Sequence, residues 1–432
     1  MRNEPLRAAA VLIAACAVNA GAAQAQTDMT HAKFDFRSGK AAKGFMSVTP
    51  TTAYSSALGY GYEPGSVGAA PDKPVLFSIA LPEGNYNVTV TLGDAKSASD
   101  TTVKAEARRL MLEKMQTEPG KFVTRTFTVN VRTPKIPTGG QIHLKQREIG
   151  YLNWDDKLTL EFNGPRPRVD TLEITPATNA VTVFITGDST VTDQPDEPWA
   201  AWGQMLPRFF GPGIAITNYA ESGESLRSTL GARRLDKVLS VMKPGDYLFI
   251  QFGHNDQKEH GAGVGAFTTY KADLKHFVLE AKKRGGLPVL VTSINRRRFD
   301  ADGKIVNTLG DYPEAVRQTA QEENVPLIDL NAMSKTLFEA LGPEGTLKAF
   351  VHYPANTFPG QAKELKDDTH FNSYGAYELA RCIVEGIKAD KLGLVKSLTD
   401  DVPTFDPARP DPVSAWTLPA SPASSTVKPD GS

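Results

Sequence analysis

From residue 181 onward, short apolar runs alternate with stretches of helical periodicity, and this alternation constrains the fold more than any other feature. Strands that are separated by helices form a parallel sheet with helices on both of its faces. The pattern therefore predicts an α/β domain over residues 180–395, closed by a helix at about residues 374–389. The predicted strands lie at residues 181–185, in a segment that ends at 218–220, and at residues 247–252, 288–292 and 325–330.

The segment before this domain has a different periodicity. Over residues 30–176, apolar and polar residues alternate, as in the run from Tyr86 to Leu92. Period-two alternation with turn signals between the runs predicts a β-sandwich. One amphipathic stretch, residues 103–115, interrupts the alternation and is predicted to be helical. The linker between the two domains is expected at about residues 176–180.

The two ends of the chain differ from these domains. Residues 1–25 combine two early arginines with an apolar run too short to cross a bilayer and a final Ala-Gln-Ala motif. This is typical of a secretory signal peptide, and it predicts export to the periplasm or the medium. An Ile-Ala-Ala-Cys motif that ends at Cys16 leaves lipoprotein anchoring open as an alternative. Residues 403–432 are rich in Pro, Ser, Asp and Ala and are predicted to be a disordered tail.

The charge balance and the motifs of the chain exclude several classes of partner and cofactor. The chain has 48 basic and 49 acidic residues, whereas nucleic-acid binders normally carry a basic excess, so no nucleic-acid partner is expected. No segment after the signal peptide is apolar enough to span a membrane. Neither zinc-site spacing nor a phosphate-binding loop is found, so neither a metal nor another cofactor is expected.

Three polar motifs directly follow the first three predicted strands. They are Gly-Asp-Ser-Thr with Ser189, Glu-Ser-Gly-Glu-Ser with Gly223, and Gly-His-Asn-Asp with Asn255. Ligands of open α/β sheets bind beyond the carboxyl ends of the strands, so these motifs are expected to open on one crevice. A fourth motif, Asp-Asp-Thr-His at residues 367–370, precedes the last predicted helix.

These residue types can build a serine hydrolase site. The Ser189 hydroxyl becomes a strong nucleophile when a base takes its proton, and His370 can be that base because imidazole is partly neutral at pH 7. Asp367 can hold the imidazole and stabilise its charged form if the segment turns tightly. The amides of Ser189 and Gly223 and the side-chain amide of Asn255 can together bind the oxyanion.

The four motifs resemble the sequence blocks of the SGNH/GDSL hydrolases, which supply Ser, Gly, Asn and His in this order. More narrowly, residues 186–190, 218–228 and 252–256 resemble rhamnogalacturonan acetylesterases. The resemblance implies a three-layer α/β/α domain with a flavodoxin-like parallel sheet, and its Asp-x-x-His spacing favours Asp367 over Asp368. The upstream segment, with Phe-Asp-Phe at residues 34–36 and Gly-Tyr-Gly-Tyr-Glu at residues 59–63, resembles the galactose-binding-like β-sandwich that precedes the catalytic domain in bacterial members.

The resemblance also implies an activity. It indicates a serine carboxylic-ester hydrolase that removes O-acetyl groups from an acidic plant polysaccharide or oligosaccharide, with rhamnogalacturonan or pectin favoured. Two alternatives stay open, namely a lipase or thioesterase that acts on lipid esters and a non-catalytic carbohydrate-binding protein. Since every candidate catalytic residue follows the linker, a chain that begins near Pro176 is expected to fold and to cleave small acetyl esters.

An arginine cluster is a candidate for binding the acidic polymer. Arg296, Arg297 and Arg298 follow the fourth predicted strand and are expected at the same edge of the sheet as Ser189. Because guanidinium groups bind carboxylates in a planar, two-pronged geometry, at least one of them is expected to hold a uronic acid. The alternatives are a solvated basic loop or arginines that pair with Asp300 and Asp302.

Two further residues are candidates for substrate binding. Trp202, like Trp199, follows the nucleophile loop and can line a sugar-binding cleft, although core packing explains both equally well. His254 can contact substrate or only support its loop.

Overall fold

The computed structural model describes residues 28–431, so the predicted signal peptide and Cys16 lie outside the described residues. Its first domain consists of two five-stranded sheets, with strand orders β2-β1-β10-β5-β8 and β3-β4-β9-β6-β7. The strands are β1 (Lys33–Asp35), β2 (Met46–Ser47), β3 (Tyr60–Tyr62), β4 (Val75–Ala80), β5 (Gly84–Gly93), β6 (Ser99–Ala105), β7 (Arg109–Thr117), β8 (Phe122–Val131), β9 (Lys157–Arg166) and β10 (Val169–Pro176).

The core of this domain lies between the two sheets. Val88 and Val90 of one sheet and Phe77 and Leu160 of the other are fully buried in one apolar cluster. Alternating side chains of each strand therefore face the opposite sheet, as in a β-sandwich.

The predicted helix at residues 103–115 is wrong, because β6 and β7 form a hairpin there. Glu106 and Arg108 turn the chain with φ values of 57° and 63°. The hairpin also joins the second sheet, where Val103 of β6 pairs with Phe162 of β9. This long-range pairing overrides the local helical pattern.

The second domain contains a parallel sheet with strand order β12-β11-β13-β14-β15. A two-stranded antiparallel ribbon of β16 and β17 lies before the last helix. The strands are β11 (Val181–Gly187), β12 (Ile214–Asn218), β13 (Tyr247–Gln251), β14 (Leu287–Val291), β15 (Leu327–Ile328), β16 (Phe350–Tyr353) and β17 (Leu365–Phe371). The helices are α1 (Trp202–Met205), α2 (Leu226–Gly231), α3 (Arg234–Val241), α4 (Lys271–Lys283), α5 (Tyr312–Glu323), α6 (Leu330–Thr346) and α7 (Ser373–Ala389).

Helices cover both faces of this sheet. Val183 and Ile185 of β11 pack in a cluster with residues of α1, α6 and α7, whereas Phe184 packs in a second cluster with residues of α2 to α5. Successive residues of a strand point to opposite faces, so the two clusters are the two interfaces of a three-layer structure. This confirms the predicted α/β/α fold. Among residues 28–431, the structure contains no helix with the length and apolar character that crossing a membrane requires.

Buried arginines join the two domains. Arg109 donates to the carbonyl of Ile216 at 3.0 Å, and Arg132 donates to the carbonyl of Asn218 at 2.6 Å. Arg109 Nε also lies 3.3 Å from Oδ2 of Asp193, which follows the nucleophile loop. Charges so deeply buried depend on their partners, so the two domains stabilise each other. The structure therefore argues against the expectation that a chain beginning near Pro176 folds and stays active.

Replacing Arg109 with alanine is expected to lower the free energy of unfolding by about 3–5 kcal/mol, because it leaves the buried Asp193 carboxylate without its cation. Urea unfolding followed by tryptophan fluorescence measures the change. Arg125→Ala is the matched control, since Arg125 lies exposed on β8 of the same domain. A loss for Arg109→Ala no larger than that of the control would show that the two domains are stable independently.

The predicted disordered tail also differs from the structure, in which residues 403–431 pack on both domains. The Trp416 ring lies 4.8 Å from the ring of Tyr377 in α7. Ser421 is buried, and its hydroxyl accepts a hydrogen bond from Lys104 Nζ at 2.7 Å. The segment has almost no regular secondary structure, and contacts with distant residues hold it in place, so its composition alone does not reveal its order.

Candidate active site

The nucleophile loop is a tight turn at the carboxyl end of β11. Asp188 Oδ1 accepts hydrogen bonds from the amide and the hydroxyl of Thr190 at 2.9 and 2.7 Å. A Cβ atom on Gly187 would lie 2.6 Å from the Val191 side chain and 2.7 Å from the carbonyl of Gln251, so only glycine fits there. These constraints place Ser189 at the edge of the sheet.

Ser189, His370 and Asp367 form a continuous series of hydrogen bonds. Ser189 Oγ lies 2.8 Å from His370 Nε2, and His370 Nδ1 lies 2.7 Å from Asp367 Oδ2. The other carboxylate oxygen of Asp367 accepts the amides of Thr369 and His370 at 2.9 and 3.0 Å, which closes the tight turn that the Asp-x-x-His spacing requires. The structure thus brings together the three residues predicted as the triad.

The Asp367 carboxylate is charged at neutral pH. Burial by itself raises the pKa of Asp367, but its hydrogen bonds and charge interaction with His370, together with two backbone amides, outweigh burial and lower the pKa to about 2. An ionised acceptor on Nδ1 keeps the proton on that nitrogen and leaves Nε2 free to take a proton from Ser189.

Asp368, the alternative acid, faces away from His370. Its Oδ1 contacts His352 Nε2 at 2.9 Å and Arg297 Nη1 at 3.1 Å. More than half of its side-chain surface is exposed. Successive residues of β17 point to opposite sides, so only one of the two aspartates can reach the site.

The three candidate oxyanion donors follow the neighbouring strands β11, β12 and β13. Within residues 28–431, the amides of Ser189 and Gly223 donate no hydrogen bond, and Gly223 has a φ of 80°, a conformation that favours glycine. Asn255 Nδ2 is held by the carbonyl of Glu224 at 3.0 Å. A Cβ atom on Gly431 would lie 2.9 Å from Ser189 Oγ and 3.2 Å from Asn255 Nδ2, so these two side chains face one point.

The arginine cluster is largely engaged within the protein. Arg297 pairs with Asp368, rather than with the predicted Asp300 or Asp302, and also donates to the carbonyl of Pro343 at 2.8 Å. Arg296 donates to Thr308 at 3.2 Å, and burial lowers its pKa. Arg298 is exposed.

Two other candidates for substrate contact are enclosed. Trp202 is wholly buried and donates from Nε1 to Gln251 at 2.9 Å, so the prediction that it lines a cleft is wrong. His254 also has no exposed surface, and neither ring nitrogen has a partner among the described residues. Burial, with a smaller effect of the nearby Arg296 charge, holds the pKa of His254 well below its usual value.

The first domain brings two cations to the site that no sequence motif predicts. Lys145 Nζ donates to the Ser222 carbonyl at 2.5 Å, and Arg147 Nη2 donates to the same oxygen at 2.6 Å. Both residues lie between β8 and β9, so they are far from Gly223 in the sequence although they lie beside it in the structure. A cavity of about 240 Å³ next to them is lined by Tyr151 and Trp199, among others. No local motif links this segment of the first domain to the crevice of the second.

A parallel sheet that carries hydrogen-bonded serine, histidine and aspartate at its carboxyl edge defines a serine ester hydrolase with an α/β/α fold. Among residues 28–431, no group of three or more His, Cys, Asp or Glu side chains is placed to hold a metal ion. The chain belongs to the GDSL-like Lipase/Acylhydrolase family, whose family model matches residues 185–376.

Known relatives include two proteins of Bacillus subtilis (strain 168). Rhamnogalacturonan acetylesterase RhgT is 43% identical over 216 residues, which are 50% of this chain and 91% of that protein. Probable rhamnogalacturonan acetylesterase YesY is 34% identical over 219 residues, which are 50% of this chain and 96% of that protein. The crystal structure of the B. subtilis protein YxiM has 26% identity and a TM-score of 0.45, and the match covers 84% of this chain and 99% of that one.

Proposed function

We propose that the protein is a carbohydrate esterase that removes O-acetyl groups from an acidic plant polysaccharide, with rhamnogalacturonan or pectin as the favoured polymer. The observation that carries this proposal is the unbroken series of hydrogen bonds from Ser189 through His370 to Asp367. Relatives that are named as rhamnogalacturonan acetylesterases support the choice of substrate.

In the proposed mechanism, His370 Nε2 takes the hydroxyl proton of Ser189 as Oγ attacks the acetyl carbonyl. The negative charge that forms on the carbonyl oxygen is stabilised by the Ser189 and Gly223 amides and by Asn255. His370 then gives its proton to the departing sugar oxygen, which leaves an acetyl-enzyme. A water molecule, deprotonated by the same nitrogen, attacks this ester, and acetate leaves with Ser189 restored.

The alternative of a lipase or thioesterase fits the structure less well. The cavity beside the site is lined by charged residues that include Arg147, Asp196 and Glu221, whereas a long acyl chain requires an apolar groove. The alternative of a non-catalytic carbohydrate-binding protein leaves the ordered triad without a role. We further propose that residues 1–25 direct export, with lipid anchoring at Cys16 as the alternative, since a polymeric substrate is met outside the cell.

Acetate release from a panel of acetylated polymers tests this proposal. The enzyme is expected to deacetylate rhamnogalacturonan and pectin about ten times faster or more than neutral xylan, the factor that one charge-assisted contact with a uronic acid carboxylate contributes. The Ser189→Ala protein measures spontaneous release. Faster cleavage of long-chain p-nitrophenyl esters than of p-nitrophenyl acetate, with no acetate released from any polymer, would favour the lipase alternative.

A further inference from the structure

Residues 425–431 run across the mouth of the candidate site. A Cβ atom on Gly431 would lie only 2.9 Å from Ser189 Oγ, so the backbone at this residue occupies the space where the scissile acyl group has to be held. Lys428 Nζ, in the same segment, lies 3.4 Å from Asp367 Oδ1. A substrate can therefore reach Ser189 only after this covering segment has moved.

Asp430 of the covering segment makes an ion pair inside the cleft. Its Oδ2 accepts a hydrogen bond from Arg147 Nη1. A Cβ atom on Gly223 would lie 2.9 Å from the Cβ of Asp430 and 3.7 Å from its Oδ2, which shows that the carboxylate sits beside a candidate oxyanion donor. The protein thus binds one of its own carboxylates next to the residues that carry the proposed chemistry.

Buried partners orient Arg147 for this contact. Its Nε and Nη2 donate to Glu221 Oε1 at 2.9 and 2.7 Å, and Nη2 also donates to the Ser222 carbonyl. Only 7% of the Glu221 side chain is exposed. These bonds fix the plane of the guanidinium, and Nη1 is left to face the cleft. A guanidinium that is oriented by the protein and directs its remaining N–H donor into the cleft is well suited to bind a carboxylate.

The covering segment is anchored at its base and weakly held at its tip. The amide of Ser425 donates to the carbonyl of Glu197 at 2.9 Å. The amide of Glu197 donates to the carbonyl of Ala423, just before the segment, at 3.0 Å. Beyond Ser425, its polar contacts with other described residues are the ion pairs of Asp430 and Lys428, whose side chains are 61% and 43% exposed. Exposed ion pairs contribute little stability, so a ligand with a carboxylate can displace the tip while the base stays in place.

We propose that Arg147 binds the carboxylate of an acidic sugar beside the acetylated residue, and that Asp430 fills this carboxylate subsite until substrate displaces it. The inference rests on the proposed action on an acidic polysaccharide. Tyr151, which is half-buried, lines the adjoining cavity and offers aromatic surface to a sugar ring. Selectivity for acidic polymers then depends on the β-sandwich, because the segment between β8 and β9 supplies Arg147.

Inhibition of p-nitrophenyl acetate hydrolysis by galacturonic acid and by galactose tests the subsite in the full chain. The ratio of the two inhibition constants measures how strongly the site prefers the carboxylate. Arg147→Gln is expected to reduce this preference about tenfold, the effect of losing one charge-assisted hydrogen bond. The single variant leaves the Glu221 carboxylate without its cation and can therefore fold poorly. The double variant Arg147→Gln/Glu221→Gln removes both charges and is expected to show the same loss of preference.

Asp430→Asn tests the covering segment. It is expected to raise kcat/KM for p-nitrophenyl acetate about two- to fivefold, the range that one exposed ion pair contributes, and to strengthen inhibition by galacturonic acid by a similar factor. In the Arg147→Gln background the same change is expected to have no further effect, because both residues act through one contact. Arg125→Gln and Asp400→Asn, at exposed positions, are the matched controls.

Three results would overturn the inference. The preference for galacturonic acid could survive both Arg147 variants, Asp430→Asn could leave both measurements unchanged, or the effects of the two residues could simply multiply. If acetate is still released from acidic polymers when any of these results is found, the proposed function stands and only the subsite is rejected. The expected inhibition pattern, combined with no acetate release from any polymer, would instead preserve the subsite and reject the proposed substrate.

Discussion

Replacing Ser189 with alanine is expected to lower kcat for p-nitrophenyl acetate by a factor of about 10⁴ or more, because the change removes the atom that forms the acetyl-enzyme. The fold is expected to be unaffected, since the variant loses one hydroxyl at the sheet edge and the hydrogen bonds of Asp188 that shape the loop remain. Steady-state kinetics and thermal unfolding of the same preparation separate the two effects. Ser56→Ala, at an exposed position in the β-sandwich, is the control.

His370→Ala provides a second check on the same assignment. Its loss of activity is expected to be of similar size, and the double variant Ser189→Ala/His370→Ala should be little worse than either single one, since members of a triad act as a unit. A folded Ser189→Ala protein with activity near that of the wild type, or losses that multiply in the double variant, would contradict the proposed triad.

Asn255→Ala is expected to lower kcat by a factor of about 10² to 10³ with little change in KM, because an oxyanion donor acts mainly in the transition state. The hydrogen bond from Asn255 Nδ2 to the Glu224 carbonyl is lost as well, so the thermal unfolding temperature has to be measured in parallel. Asn307→Ala, at an exposed loop position, is the matched control. A tenfold rise in KM at unchanged kcat would instead place Asn255 in ground-state binding.

Motifs that lie within one turn were predictable from the sequence. Ser189, Gly223 and Asn255 belong to the loops that follow three strands of the parallel sheet, and the rule that strand ends share one crevice predicts that they lie together. Asp367 and His370 need only a local turn to meet. Such features depend on a few neighbouring residues and on the order of the strands, both of which the sequence displays.

Contacts between distant segments could not be predicted in the same way. Arg109, Arg132 and Arg147 belong to hairpins and loops of the first domain, and nothing in their local sequence indicates which carbonyl or carboxylate of the second domain they reach. Trp202 and Trp199 are only three residues apart, but one is enclosed in the core and the other lines the cavity. Their difference follows from the path of the chain after the nucleophile loop, which periodicity does not describe.

The buried arginines between the domains limit how this architecture can be recombined in evolution or in protein engineering. A catalytic domain joined to an unrelated β-sandwich would present Asp193 and the carbonyls of Ile216 and Asn218 to a surface without cations. The two halves therefore have to be inherited together, and a functional chimaera has to carry the hairpin of β6 and β7 and the end of β8 along with its hydrolase. Sequence changes at these contacts are expected to occur in matched pairs across the interface.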